Sequence, residues 1–143
     1  MTFERQPTLP GALIRLRPLR PEDEEALYAV ASDPLIWQQH PASTRYLKHE
    51  FGRYFAEAIE SQGALLVLET GSAEPVGTSR YGRYCEGEKE IEIGWTFLAR
   101  RCWGGSYNGE LKRLMLNHAF GVVWATIPGA MNVMVALIIR RRF

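Results

Sequence analysis

The chain has 143 residues, the length of one compact domain spanning 1–143, and 46% hydrophobic against 23% charged side chains excludes a disordered polymer and allows a real core. Seventeen Lys and Arg against sixteen Asp and Glu leave a net charge of +1, so bulk electrostatics give no reason to expect a nucleic-acid or anionic-membrane partner. Two cysteines, Cys85 and Cys102, stand without CxxC spacing or clustered histidines, which argues against a metal site, and the first ten residues carry no apolar export segment; a reducing cytoplasm with free thiols is expected.

Leu13 to Arg17 alternates apolar and basic residues after a Pro-Gly turn, the period of a strand with one wet face. Arg20-Pro21-Glu22-Asp23 then opens a helix, with proline in the first turn and carboxylates at its positive end; Ala26, Leu27, Val30 and Ala31 form its expected buried side. The clearest helix runs from about Thr44 to Ser61, where Leu47, Phe51, Tyr54, Phe55, Ala58 and Ile59 recur on one face. Between these helices, Trp37 and His40 sit in a loop; the tryptophan either lines a pocket or tucks into the core.

Ala64–Glu69 and Val76–Tyr84 flank turn-forming residues and predict a hairpin. Strict alternation over Glu90–Leu98 predicts another strand, with Ile91, Ile93, Trp95 and Phe97 on one side and Glu90, Glu92, Gly94 and Thr96 on the other. A last helix is expected over about Tyr107–Phe120, with Leu111, Leu114, Met115 and His118 at helical spacing. His118 on that stripe reads as a packing residue.

The segment between this strand and this helix is Arg100-Arg101-Cys102-Trp103-Gly104-Gly105-Ser106-Tyr107-Asn108. Glycines let main chain approach a ligand closely, and the first amides of a helix lack acceptors within it. The junction therefore offers donors and positive potential to a phosphate.

In this context the run Glu92-Ile93-Gly94-Trp95-Thr96-Phe97, then Arg101 to Ser106, then a helix, resembles the acyl-CoA motif of GNAT N-acetyltransferases, Gln/Arg-x-x-Gly-x-Gly/Ala. Arg101 and Gly104 match it, and Ser106 departs from it by a hydroxyl. Trp103 to Asn108, Glu110-Leu111-Lys112, His118-Ala119-Phe120 and the opening Leu13–Arg17 with Pro21-Glu22-Asp23 are similar to the RimJ/RimL-like branch, so the resemblance covers about residues 9–120.

The resemblance implies an α/β fold, a GNAT-like mixed, mostly antiparallel central sheet flanked by helices. Acetyl-CoA as co-substrate, with no metal, would pair its pantetheine with Trp95, Phe97 and Leu98. It would rest its pyrophosphate on Gly104, Gly105, Ser106, Tyr107 and Asn108, with Arg101 adding charge. Glu92 is the expected general base and Glu90 the second choice, each with a structural, hydrogen-bonded role as the alternative. Trp37 and His40 would face the acceptor, a protein N-terminus, an amino acid or a small amine.

The family pattern stops after Phe120. From Leu111 to Phe143 there is no Asp or Glu, while Arg140, Arg141 and Arg142 crowd the end; a reading-frame change or premature end accounts for this atypical 121–143 tail and predicts an incomplete C-terminal part of the sheet. Pro128-Gly129 and Asn132 break the uncharged stretch, so Val122–Ile127 and Val133–Ile139 are read as two strands, the first a candidate fifth strand, rather than as a membrane span. No tyrosine follows Tyr107 to protonate a leaving thiolate. A truncated, non-catalytic acyl-CoA-binding remnant is the alternative function, and exposed edges predict a homodimer, exchange or aggregation.

Overall fold

The computed structural model describes residues 3–87, 90–123 and 137–139. Strand β1 (Ile14–Pro18) leads through a 3-10 turn at Pro21–Asp23 into helix α1 (Glu24–Ala31), followed by the short α2 (Pro34–Trp37) and by α3 (Lys48–Ser61). Then come β2 (Ala64–Glu69), β3 (Pro75–Cys85), β4 (Glu90–Leu98), a 3-10 turn at Arg100–Cys102, helix α4 (Ser106–Val123) and β5 (Leu137–Ile139). The strands form one sheet in the order β1-β2-β3-β4-β5. The first three pairings are antiparallel and the last, β4 with β5, is parallel.

The sheet separates two cores. On one side Ile14, Leu16, Leu65, Val67, Tyr81, Ile91 and Ile93 pack against Leu111, Met115 and Ala119 of α4. On the other, Leu66, Leu68 and Phe97 meet Leu27 and Ala31 of α1, Trp37 of α2, and Phe51, Tyr54, Phe55 and Ala58 of α3. Such fully buried side chains each contribute about 1.5–3 kcal/mol to the fold.

The start of α1 follows the sequence reading: Arg17 clasps both Asp23 oxygens at 2.7 and 2.9 Å, and the Asp23 carboxylate also accepts the Arg20 amide. Ala26, expected on the buried side, is exposed; only Leu27 and Ala31 of α1 are fully buried. Helix α3 begins later than its apolar spacing suggests, because Leu47 is extended (ψ 135°) and caps it. Helix α4 continues through Val123 and the fifth strand is Leu137–Ile139, which corrects the assignment of Val122–Ile127 to that strand: Val122 and Val123 extend the helix, and 124–127 lie outside the described residues.

Candidate active site

The site is organised by an irregularity in β4. Arg80 pairs with Gly94, but Thr78 pairs with Phe97, so β4 carries one residue more than β3 over this stretch. The extra residue is absorbed at Trp95, whose φ is +53°, a left-handed conformation that bulges and bends a strand. Alternation therefore breaks. Ile91 and Ile93 stay in the α4-side core, whereas Phe97 turns into the α3-side core, correcting the expectation that Ile91, Ile93, Trp95 and Phe97 share one face. The Trp95 ring lies over Gly82, the partner of Glu92: a Cβ there would stand 2.6 Å from the ring.

Pairing with β5 covers Ile91 to Ile93 and, among the described residues, stops there. The bulge begins at the next residue, and beyond it Thr96, Phe97 and Leu98 border a cleft of about 460 Å³. Its other walls are Leu35, Ile36, Gln38 and Gln39 from the α2 region, and Trp103, Asn108 and Lys112 at the start of α4. Thr96 now faces α4: its hydroxyl lies 2.8 Å from that of Ser79 and accepts from Lys112 Nζ at 3.3 Å. An ion pair between Arg100 and Asp33, the N-cap of α2, links the two walls across one end.

Helix α4 opens at Ser106 after Gly104 and Gly105. Gly104 has φ +71°, and a Cβ placed on either glycine meets no atom within 4 Å, so the turn is open on its outer side. The leading amides of an eighteen-residue helix point out of this opening with the positive end of its dipole. Space and donors together fit a diphosphate.

Arg101 behaves less simply than its sequence position suggests. Its guanidinium donates to Glu69 Oε2 at 2.8 Å, and the Tyr107 hydroxyl donates to the same oxygen at 2.9 Å. The hydrogen bond from Arg101, reinforced by Tyr107 and Ser72, holds the Glu69 carboxyl below the usual carboxylate range. The bond to Glu69 pushes the Tyr107 phenol up, and burial does the same to the Cys102 thiol. Arg101 thus reaches the cradle with its charge partly balanced.

The family profile described as Acetyltransferase (GNAT) domain matches residues 14–138. The chain belongs to the GNAT acetyltransferase family. Solved structures agree in fold: an acetyltransferase of the GNAT family from Bacillus anthracis (17% identity, TM-score 0.67, covering 80% of this chain and 67% of that one) and a GCN5-related N-acetyltransferase from Brucella melitensis (22%, 0.67, 82% and 56%). RimL, the ribosomal L7/L12 alpha-N-protein acetyltransferase in complex with coenzyme A, is similar at 16% identity and TM-score 0.66, over 82% of this chain and 70% of RimL. The chain thus spans little more than half of the Brucella protein and about two thirds of the other two. A sequence comparison with curated proteins finds no significant match.

Within this GNAT chain, the residues picked out from sequence divide into those that meet and those that do not. Phe97, Leu98 and Asn108 line the cleft; Gly104, Gly105, Ser106 and Tyr107 lie in the chain between its lining residues Trp103 and Asn108 but are not among them, and the Tyr107 hydroxyl turns to Glu69. Trp95 forms the bulge and packs towards α3. Glu92 lies between Ile91 and Ile93 on the opposite, α3 side of β4; it is buried and ion-paired with Arg83 at 3.2 Å. Glu90 is half-buried at the far end of the strand, opposite Cys85.

Trp37 does not line the cleft. It is 1% exposed, donates to the Ala31 carbonyl at 2.8 Å and meets the Phe97 ring at 5.0 Å in a tilted contact. His40 meets its ring edge-on and accepts the Ala42 amide at Nδ1. The neighbouring Gln38 and Gln39 reach the cleft instead; a large apolar ring next to polar amides was the signal that the tryptophan would turn inward and the glutamines outward. Glu69, Lys112 and Asp33 were missed because each acts through a partner far away in sequence. Among the described residues no group of three or more His, Cys, Asp or Glu could hold a metal, and no helix is long and apolar enough to cross a membrane.

Proposed function

We propose that this GNAT chain transfers an acetyl group from acetyl-CoA to a primary amine. The observation that carries the reading is the juxtaposition of the Trp95 bulge, just beyond the last β4–β5 pair among the described residues, with the open glycine turn that starts α4. A strand bent at a bulge turns amides and carbonyls towards the pantetheine arm, and the amides after Gly104 offer donors to the diphosphate. The coenzyme A complex of RimL supports the same ligand class for this fold. The free thiols of Cys85 and Cys102 suit a reducing compartment such as the cytoplasm.

Acetyl-CoA supplies an activated thioester; the protein's part is to hold it in line with the amine. The amine nitrogen attacks the carbonyl carbon, the carbon–sulfur bond breaks, and an amide and a free thiol result. The proton lost by the nitrogen goes to Glu92, directly or through water, and the departing sulfur takes one up. Alignment in the cleft supplies much of the acceleration. Lys112, tied to Thr96 at the cleft wall, supplies positive charge on the side where sulfur charge develops.

Calorimetric titration with acetyl-CoA, run beside a thiol-release assay over peptide N-termini, amino acids and small amines, tests this. Saturable heat and amine-dependent thiol release are expected. No heat overturns the reading, and heat without thiol release for any amine replaces it with a binding-only chain.

A further inference from the structure

Across the sheet from α4 lies a guanidinium that the proposed chemistry has not used. Arg80 is 6% exposed, and its Nε and Nη2 atoms have no hydrogen-bond partner among the described residues. Its neighbours are rings rather than carboxylates: Cζ stands 4.7 Å from the centre of the Trp95 ring and 5.9 Å from that of Tyr54. A second cation, Arg45, stands 4.5 Å over the same Tyr54 ring. Burial pulls the Arg80 pKa down, and Arg45 adds to the pull, while Tyr54 and Glu57 oppose it.

Ring faces attract a cation but cannot accept N–H donors lying in the guanidinium plane, so these contacts leave the fork unsatisfied. A buried charge in that condition is costly unless an anion completes it. Glu57, the carboxylate that acts on Arg80 through charge, makes no hydrogen bond to its Nε or Nη2, and Glu92 has its carboxylate paired with Arg83, whose guanidinium stands 6.0 Å from the centre of the Trp95 ring. Trp95 and Arg45 are both half-buried.

We propose that Arg80, with Arg45 beside it, binds a carboxylate of the acceptor, so that the substrate is an amino acid rather than a simple amine. This rests on the acetyltransfer reading, because it takes Glu92 as the group that faces the amine. Arg80 then holds the acid end of the acceptor, and the Arg83–Glu92 pair near the same Trp95 ring meets the amine. A planar fork with free Nε and Nη2 is the arrangement that takes a carboxylate through two parallel bonds.

The test pairs acids with their amides: glycine, β-alanine and γ-aminobutyrate against the corresponding carboxamides, at equal ionic strength, with the native chain and with Arg80→Met. Thermal shift without coenzyme reads binding, and thiol release with acetyl-CoA reads turnover. At least one acid is expected to raise Tm of the native chain while its amide does not, and to exceed the amide in kcat/KM by about tenfold or more, as for the loss of a charge-assisted bond pair. In Arg80→Met both differences vanish while acetyl-CoA binds as before. Equal behaviour of acids and amides in the native chain overturns the proposal without need of the variant, as does a preference that survives Arg80→Met. Absence of acetyl-CoA binding would instead sink the acetyltransfer reading, since the thermal-shift comparison is made without it.

Discussion

The Tyr54 hydroxyl of α3 donates at 2.6 Å to the carbonyl of Trp95, the residue that adopts the left-handed conformation in β4. A helix side chain thus caps the main chain where the strand gives up its ladder. Burial pushes the Tyr54 phenol up to about 12, so it remains a donor throughout the range in which the protein would be handled. Tyr54→Phe removes this bond while keeping the ring, and should cost about 1 kcal/mol. Urea unfolding monitored at pH 7 checks it; an unchanged midpoint would mean the bulge holds without its cap.

Glu110, near the start of α4, is buried and accepts the main-chain amides of both Ala12 and Leu13, at 2.5 and 2.9 Å. It ties the helix to the segment entering β1. Glu110→Ala strands two donors together and should cost about 2–3 kcal/mol. Hydrogen exchange at the Ala12 and Leu13 amides should accelerate in that variant well before global unfolding does.

Glu69 predicts a pH signature. Its folded carboxyl is held low by Arg101, Tyr107 and Ser72, so its stabilisation is fully present above the unfolded carboxyl value of about 4.3 and is lost as pH falls through the folded one. The native chain should therefore exceed Glu69→Gln in Tm at pH 7, with the gap closing below about pH 4. The same variant releases Arg101 from its counter-charge and should tighten acetyl-CoA binding. Calorimetry that shows weaker binding in Glu69→Gln would mean Glu69 orients the cradle rather than dampening it.

Gly104→Val tests the glycine turn. Nothing crowds a side chain there, so the cost is conformational, about 1–2 kcal/mol for a left-handed residue. If that strain displaces the amides that follow, affinity for acetyl-CoA falls about tenfold, equivalent to roughly 1.4 kcal/mol. Unaltered affinity in a folded variant would move the phosphate site elsewhere.

Glu92→Gln should lower kcat by about 10²–10⁴-fold, the range lost with a general base, and leave acetyl-CoA binding unchanged. A pH–rate profile that keeps its acidic limb in the variant would assign the proton to another acceptor.

Helices α3 and α4 could be read from periodicity because each buries one face, and β2 from its unbroken apolar run, which feeds Leu65 and Val67 to one core and Leu66 and Leu68 to the other. The bulge could not. Glu90 to Leu98 alternates without interruption, and the residue that takes positive φ is Trp95, which has no backbone preference for it; only Gly94 hinted at an irregularity. The cradle was legible because glycines before a helix have a local meaning. By contrast, the Glu69–Arg101–Tyr107 and Asp33–Arg100 contacts join distant parts of the chain and exist only once the strands and helices have packed. Arg80 looked like an ordinary strand arginine for the same reason: its unusual quality is what the fold leaves out around it.

The different settings of two indoles have a spectroscopic use. Trp37 is sealed beneath Phe97, whereas Trp103 is 51% exposed at the rim of the cleft and is anchored by its Nε1 to the Leu98 carbonyl. Emission from the rim indole should respond to whatever enters, by quenching or a change of colour, while the sealed one contributes a steady blue-shifted background; since Trp95 and Trp124 also emit, the difference between the native chain and Trp103→Phe isolates the rim signal. The molecule therefore carries its own optical gauge of occupancy, readable at micromolar protein without a label.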